Sequence, residues 1–441
     1  MYDALDDSPV PPPVSGGEPL AVFRHDRLPS WALVRQRMDP AELDDVDAAV
    51  GAQVDSVADL LPASGRVCLA VGSRGIDRIA EVARATVATL RARGLDVFAI
   101  PAMGSHGGAT ASGQLAVLES LGMTEASIGC EIRSSMDTIQ IGEVEGVPVF
   151  VDRHAIEDAD LVIPINRVKV HTDFSGPVES GLLKMIAIGL GKQRGADTFH
   201  GEGFAVFDRL IPAVAAFTLE HVPIPFGLAL LENGLARLRH IEAVPAASMF
   251  EREQALLREA DALMGRLPVE ALDVLVIDRI GKDVSGLGMD SNVVGRYYVG
   301  PTGRPPSIQR IVVRDLTDET EGNAVGIGMA DVVLRRATER MDVDKTYMNC
   351  ITAKTPEGAR VALTVDTDRQ ALDVAIACCL RVHAETARII RIADTKHLEW
   401  FYASEATLAD LLATGTCEVA GAVAPIGLDA DGQFTDVLPN G

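Results

Sequence analysis

Along most of this chain, short apolar runs alternate with longer stretches whose apolar positions recur every three or four residues. That is the pattern of buried strands followed by amphipathic helices. Val67–Val71 is a short apolar run ending in Gly72-Ser73-Arg74-Gly75, and helical spacing follows from about Asp77 to Arg93. Gly94 stops it, and Val97–Pro101 is a second run. This order predicts a βαβ unit and hence a parallel, doubly wound sheet. A helix is expected over Leu43–Leu61 before it and another from about Ser112 to Leu121 after it. Ile128 to Val151 reads as short strands with turns at Gly142 and Gly146, and Asp160–Ile165 as a buried strand. Phe226–Leu231 is strand-like, and Pro245 to Met264 is an amphipathic helix carrying Glu251, Glu253, Arg258 and Glu259. Further on, Val274–Ile277, Ile311–Leu316 and Val361–Val365 read as strands, Ala330–Met341 and Arg369–Val382 as helices. Two α/β domains with parallel-rich sheets follow, over residues 21–250 and 251–441. Residues 1–20 form an acidic, proline-rich arm, and the last segment is free to cross back to the first domain.

The 441 residues are 47% hydrophobic and 23% charged, an ordinary globular composition, with a net charge of −23. An acidic chain without a basic tail argues against nucleic-acid binding. No apolar run is long enough to span a bilayer, and the arm lacks the basic start and apolar core of a signal peptide. The six cysteines form no CxxC pair, which fits reduced thiols in a cytoplasmic protein, with Cys378 and Cys379 in the core. The sequence leaves homo-oligomerisation open.

One stretch runs against the acidic background. From Ile165 to Gly195 the bases Arg167, Lys169, Lys184, Lys192 and Arg194 outnumber the acids Asp173 and Glu179, which favours an anionic ligand. Lys184 lies in the apolar run SGLLKMIAIGL, and at helical spacing its neighbours are Ser180, Gly181, Ala187 and Ile188. Burial there would disfavour the ammonium and free the amine for covalent chemistry; the other reading is a lysine snorkelling to water from a core helix. His106 sits in the loop MGSHGGAT between a strand and a helix, a setting that favours anions. The loop's spacing is neither GxGxxG nor a Walker motif. His171 also follows a strand, and His200 lies beyond the lysine helix. No HExxH or GxSxG is present, so a helix-borne zinc site and an α/β-hydrolase are weakly supported. Histidines on separate loops suit proton transfer near neutral pH, and two on opposite faces of a substrate suit a racemase or epimerase. A lysine Schiff-base enzyme and a non-catalytic module binding small anions or a nucleotide remain open. In the second half, the glycine-rich polar loop Gly281 to Asn292 is the candidate for substrate contact.

Four motifs in order, GSHGGAT, NRVKVHTDFSG, ESGLLKMIAIGLGK and GADTFHGEGF, resemble the nickel-dependent lactate racemase family in its broad sense of 2-hydroxy-acid racemases and epimerases. The resemblance covers roughly residues 65–205. It implies two α/β domains with the active site in the cleft between them. It also implies a nickel-pincer nucleotide, the Ni(II) pyridinium-3-thioamide-5-thiocarboxylic acid mononucleotide, attached covalently at Lys184. By the same resemblance His200 would be the protein ligand to nickel. His106 and His171 would be the acid/base pair at the substrate hydroxyl, while hydride leaves C2 and returns to either face. Arg74, with Ser73 beside it, would bind anionic groups of the cofactor or of the small anionic 2-hydroxy acid. The chain departs from the family where LAVGSRG lacks an acidic residue, in the insert SGPVES, and at Leu287, near where a substrate-binding lysine is expected. These departures lie on the substrate side. They point away from lactate towards a larger acid such as a sugar acid, with Lys282, Ser285, Asp290 and Asn292 as its contacts.

Overall fold

The computed structural model describes residues 18–72, 75–298 and 304–439. In chain order the first strands are β1 (Ser30–Gln36), β2 (Gly65–Val71), β3 (Leu95–Pro101), β4 (Glu131–Ile132), β5 (Thr138–Val144), β6 (Val147–Asp152), β7 (Leu161–Arg167), β8 (Phe226–Glu232) and β9 (Leu238–Pro245). They are followed by β10 (Ala271–Ile280), β11 (Ser307–Leu316), β12 (Val332–Leu334), β13 (Leu363–Val365), β14 (Ile389–Ile392), β15 (Trp400–Ser404), β16 (Cys417–Val419) and β17 (Ala424–Pro425).

The expected βαβ unit is present. β2 and β3 run parallel with Val67 opposite Val97, and the helix Ile79–Ala92 crosses between them. The first sheet has the order β4-β3-β2-β7-β8-β9, parallel except for the last pair. Both faces are covered: Cys68 and Ala70 join one apolar cluster, and Val67, Leu69 and Val71 the other. This is why β2 reads as a continuous apolar run rather than an alternating one. β5 and β6 form a separate hairpin turned at Gly146. Gly142, expected as a turn, lies at a bulge inside β5, where a Cβ would collide with the ring of Phe217.

The second sheet runs β13-β12-β11-β10-β14-β15-β1-β16, with β17 also on β1. Its β13 to β14 part is parallel and the remainder antiparallel. Strand β1, grouped with the first half in the sequence reading, is hydrogen-bonded here, with Trp31 opposite Ser404. The last segment likewise stays in this sheet, because β16 and β17 pair with β1 instead of crossing back. Part of the helix expected over Ala330–Met341 is strand β12, whose valines pair with β11 and β13; the helix is confined to Arg335–Glu339. Cys378 and Cys379 lie beyond the end of the helix Asp368–Ala377 and are half-buried.

In the first sheet the chain runs from β2 outward to β3 and β4, then returns to β7 on the other side of β2. In the second it runs from β10 outward to β13, then returns to β14 on the other side of β10. Each reversal opens a crevice beyond the carboxyl ends of two neighbouring strands, where ligands bind in such folds. No helix among the described residues is long and apolar enough to cross a membrane.

Candidate active site

Both crevices open on one cavity of about 390 Å³. Gly72 and Gly75 after β2, Met103 to His106 after β3 and Val168 to Asp173 after β7 line it from the first sheet. Lys282 to Leu287 after β10 and Thr395 and Lys396 after β14 line it from the second. His106, His171, Lys184 and His200 are all on its wall, as are Lys282, Ser285 and Asp290. Ser73 and Arg74 lie outside the described residues. Asn349, Thr355, Thr395 and Lys396 also line it, and no sequence motif had marked them.

Lys184 closes the short helix Leu182–Lys184, which continues as a π-turn over Met185–Gly189 with Leu190 N–H on the Met185 carbonyl at 2.9 Å. Such wide turns recur at functional sites. The turn is held at both ends. At its start, Leu183 N–H donates to Glu253 Oε2 at 3.0 Å. At its end, Gly189 lies so close to the loop after β3 that a Cβ there would be 2.6 Å from the Ala102 carbonyl. Gly104 N–H donates back to the Gly189 carbonyl at 3.2 Å, tying the His106 loop to the lysine segment. Glu253 is therefore not on a polar helix face, as its amphipathic pattern suggested. It is wholly buried, and desolvation pushes its carboxyl up to about 7 against the pull of two backbone N–H donors.

His171 is fixed on three sides. Its N–H donates to Glu179 Oε2 at 2.6 Å, and its carbonyl accepts from Asn292 Nδ2 at 3.1 Å. Its Nδ1 accepts the Asp173 backbone N–H at 3.0 Å. The Asp173 carboxylate lies 3.7 Å from Nδ1, beyond hydrogen-bond reach, so the backbone N–H is the partner. Nε2 lies 2.5 Å from Lys184 Nζ, and the Phe174 ring packs 4.4 Å from the imidazole. Burial pushes Glu179, the anchor of this loop, up from the usual carboxylate range.

His200 sits on the helix Lys192–Glu202 against Phe204 and Phe207, with ring centroids at 5.8 and 6.0 Å. Desolvation, with a smaller contribution from a charged Lys184, holds it down at about 4, so the imidazole is neutral. Its Nδ1 is buried with no hydrogen-bond partner.

The cationic excess of the segment is largely compensated. Arg167 pairs with Glu232, and Arg194 stacks 4.3 Å from the Phe150 ring. Lys192 is fully buried, 2.9 Å from an equally buried Asp152, and also donates to the Pro101 carbonyl and to Gln114. Gln114 in turn donates to the Gly104 carbonyl at 2.9 Å, so Lys192 supports the His106 loop instead of facing a ligand. On the opposite wall Lys282 Nζ donates to Asn349 Oδ1 at 2.6 Å and to the Gly286 carbonyl at 2.7 Å. Ser285 Oγ is buried without a partner, and Asp290 lies 3.7 Å from Lys169 Nζ. Asn292, expected as a substrate contact, is not on the cavity wall. Its amide is spent on the His171 carbonyl and Asp290, and its oxygen accepts from Tyr297 at 3.0 Å.

No family model matches the chain, and no curated protein is similar to it. Two solved structures are similar in chain path. One is a protein from Thermotoga maritima, 17% identical, over 62% of this chain and 71% of that one, with a TM-score of 0.46. The other is the lactate racemase apoprotein from Thermoanaerobacterium thermosaccharolyticum, 12% identical, over 85% of this chain and 94% of that one, with a TM-score of 0.45.

Proposed function

We propose that this protein is a racemase or epimerase that inverts C2 of a 2-hydroxy acid, with a nickel-pincer nucleotide tethered at Lys184. The observation that carries the reading is the meeting of His106, His171, Lys184 and His200 on one cavity, at the crevices of two sheets. The residues present fit the cofactor. His200, with a buried Nδ1 that has no hydrogen-bond partner, would be the residue to hold nickel, with the remaining donors supplied by the nucleotide. A neutral imidazole is the form that ligates. When bound, the nucleotide supplies a hydride acceptor for C2 and a donor to either face of the planar keto acid.

The chain's own residues do the rest. His171, oriented by the hydrogen bond from the Asp173 N–H to its Nδ1, shares the proton work at the substrate oxygen with His106. His106 takes the hydroxyl proton, and the two exchange roles in the reverse direction. Lys282 binds the anionic groups, and the sequence resemblance assigns Arg74, with Ser73, to the same task. Ser285, Asn349 and Thr355 give the far wall a polar face suited to the hydroxyls of an acid longer than lactate, such as a sugar acid.

Protein produced with the cofactor pathway and nickel should show a mass adduct that Lys184→Ala abolishes. It should racemise or epimerise at least one acid from a panel of 2-hydroxy and sugar acids. Absence of both adduct and turnover under those conditions refutes the reading. Trapping of a carbonyl compound by borohydride at Lys184, without nickel, would instead identify a Schiff-base enzyme, a chemistry the Lys184–His171 contact also suits.

A further inference from the structure

Resting on the reading above only for a 2-hydroxy acid in this cavity, we infer that the acid carries a second carboxylate at its far end, held by Lys396 and the Ser285 hydroxyl between β10 and β14. The ligand class is then a 2-hydroxy dicarboxylic acid.

The charges on the cavity wall point this way. The basic side chains there are Arg167, Lys169, Lys184, Lys282 and Lys396. The first four have partners within the protein. Arg167 pairs with Glu232, Lys169 lies 3.7 Å from Asp290, Lys184 meets His171, and Lys282 donates to Asn349 and to the Gly286 carbonyl. Lys396 is half-buried, and its ammonium has neither an ion pair nor a hydrogen bond among the described residues. A cation on a cavity wall without a counter-ion attracts an anion. The turn that carries it is firmly held. The buried Asp394 carboxylate accepts the Lys396 N–H at 2.7 Å and the His397 N–H at 2.9 Å, and His397 Nδ1 closes on it at 2.8 Å. Thr395 Oγ1 accepts the Asp290 N–H at 2.9 Å, which ties this turn to the loop after β10.

Ser285 stands on that neighbouring loop. β10 and β14 pair in parallel, and their ladder continues past Ile277 and Ile392 to the Arg279 N–H on the Ala393 carbonyl at 2.9 Å. The two loops therefore leave the sheet side by side, where the strand order reverses and ligands bind in such sheets. Ser285 is only 4% exposed. Its N–H donates to the Gly281 carbonyl at 3.1 Å, and its own carbonyl accepts the Gly288 N–H at 2.9 Å. The hydroxyl, buried on the cavity wall, is left without a partner among the described residues. Buried hydroxyls are ordinarily satisfied. A hydroxyl and an ammonium on adjacent loops are two donors, and a carboxylate accepts from both. The phosphate of a nucleotide is the other oxyanion to weigh. A nucleotide held at Lys184 and His200 would lie against the first sheet's side of the cavity, which leaves the crevice of the second sheet to the acid.

The test uses the cofactor-free protein and two probes of equal length that differ in one charge, succinate and butyrate. Titration calorimetry at low salt should find succinate bound about tenfold more tightly, the worth of one charge-assisted contact. Lys396→Gln should remove that preference and Lys396→Arg should keep it, while Ser285→Ala should weaken succinate more than butyrate. Should a variant misfold, the wild type provides a second measurement. Succinate, but not butyrate, should protect Lys396 from acetylation by acetic anhydride, read by peptide mass spectrometry. No preference for succinate, a preference that survives Lys396→Gln, or equal protection by both probes overturns the assignment. So does a loss of affinity for adenosine monophosphate in Lys396→Gln with succinate unaffected, which would give Lys396 to the nucleotide phosphate. Neither probe has a C2 hydroxyl and no cofactor is present, so failure here is separate from failure of the racemase reading.

Discussion

Glu253 gives the sharpest stability test. In the unfolded chain its carboxyl ionises near 4.5, whereas burial moves it to about 7 in the folded chain. Between these values the folded chain holds a proton that the unfolded chain has lost. Stability therefore falls as pH rises through this window, and the loss is complete above about pH 7. At 1.36 kcal/mol per pKa unit the shift amounts to about 3 kcal/mol. Glu253→Gln cannot titrate, so this component vanishes whatever constant offset the amide introduces. Urea unfolding followed by far-UV circular dichroism from about pH 4.5 to 8 should show the wild-type-minus-variant difference changing by about 3 kcal/mol. A difference constant to within about 1 kcal/mol across the window would refute the assignment of a buried, proton-holding carboxyl.

Three further outcomes are expected. Lys192→Met leaves Asp152 buried and unpaired and should cost about 3–5 kcal/mol in chemical denaturation, part of which Asp152→Leu in the same chain restores. Asn292→Ala removes the donor to the His171 carbonyl and strands the Tyr297 hydroxyl, with an expected loss of about 1–3 kcal/mol and a larger fall in kcat than change in KM for the loaded enzyme. The His200 ring proton resonances should not titrate between pH 8 and about 5; since the unfolded chain protonates first, near 6.5, this residue's contribution to stability is present above that value and fades as pH falls towards 4.

What could be read ahead of the structure followed from local physics. β2, β3 and β7 are buried on both faces, so their apolar runs announce them, and glycine loops after two of them announced His106 and the crevice. β1 could be recognised by none of this, because its partners begin at Trp400 and pairing across such a separation leaves no local mark. The π-turn was equally hidden, since an all-apolar run such as MIAIG fits an α-helix as well. Charge counting misled at Lys192, whose counter-ion Asp152 lies in another strand. Asn292 was marked by its polar loop, but only coordinates show its amide turned to a backbone carbonyl rather than to the cavity.

Because β1 is stitched into the second sheet, the polypeptide passes between the two units twice, once after Gln36 and once after Leu263. The two passages lie together: Gln36 Nε2 donates to the Arg266 carbonyl at 3.1 Å, and a Cβ on Gly265 would come within 3.6 Å of Met38 Cε. Met264 and Gly265 also floor the cavity. A pair of adjacent covalent straps restrains the halves as a door on one hinge line is restrained, permitting rotation about that line while resisting shear and twist. Severing either strap alone leaves the halves joined, so a single proteolytic nick there should release no fragment until the chain is denatured.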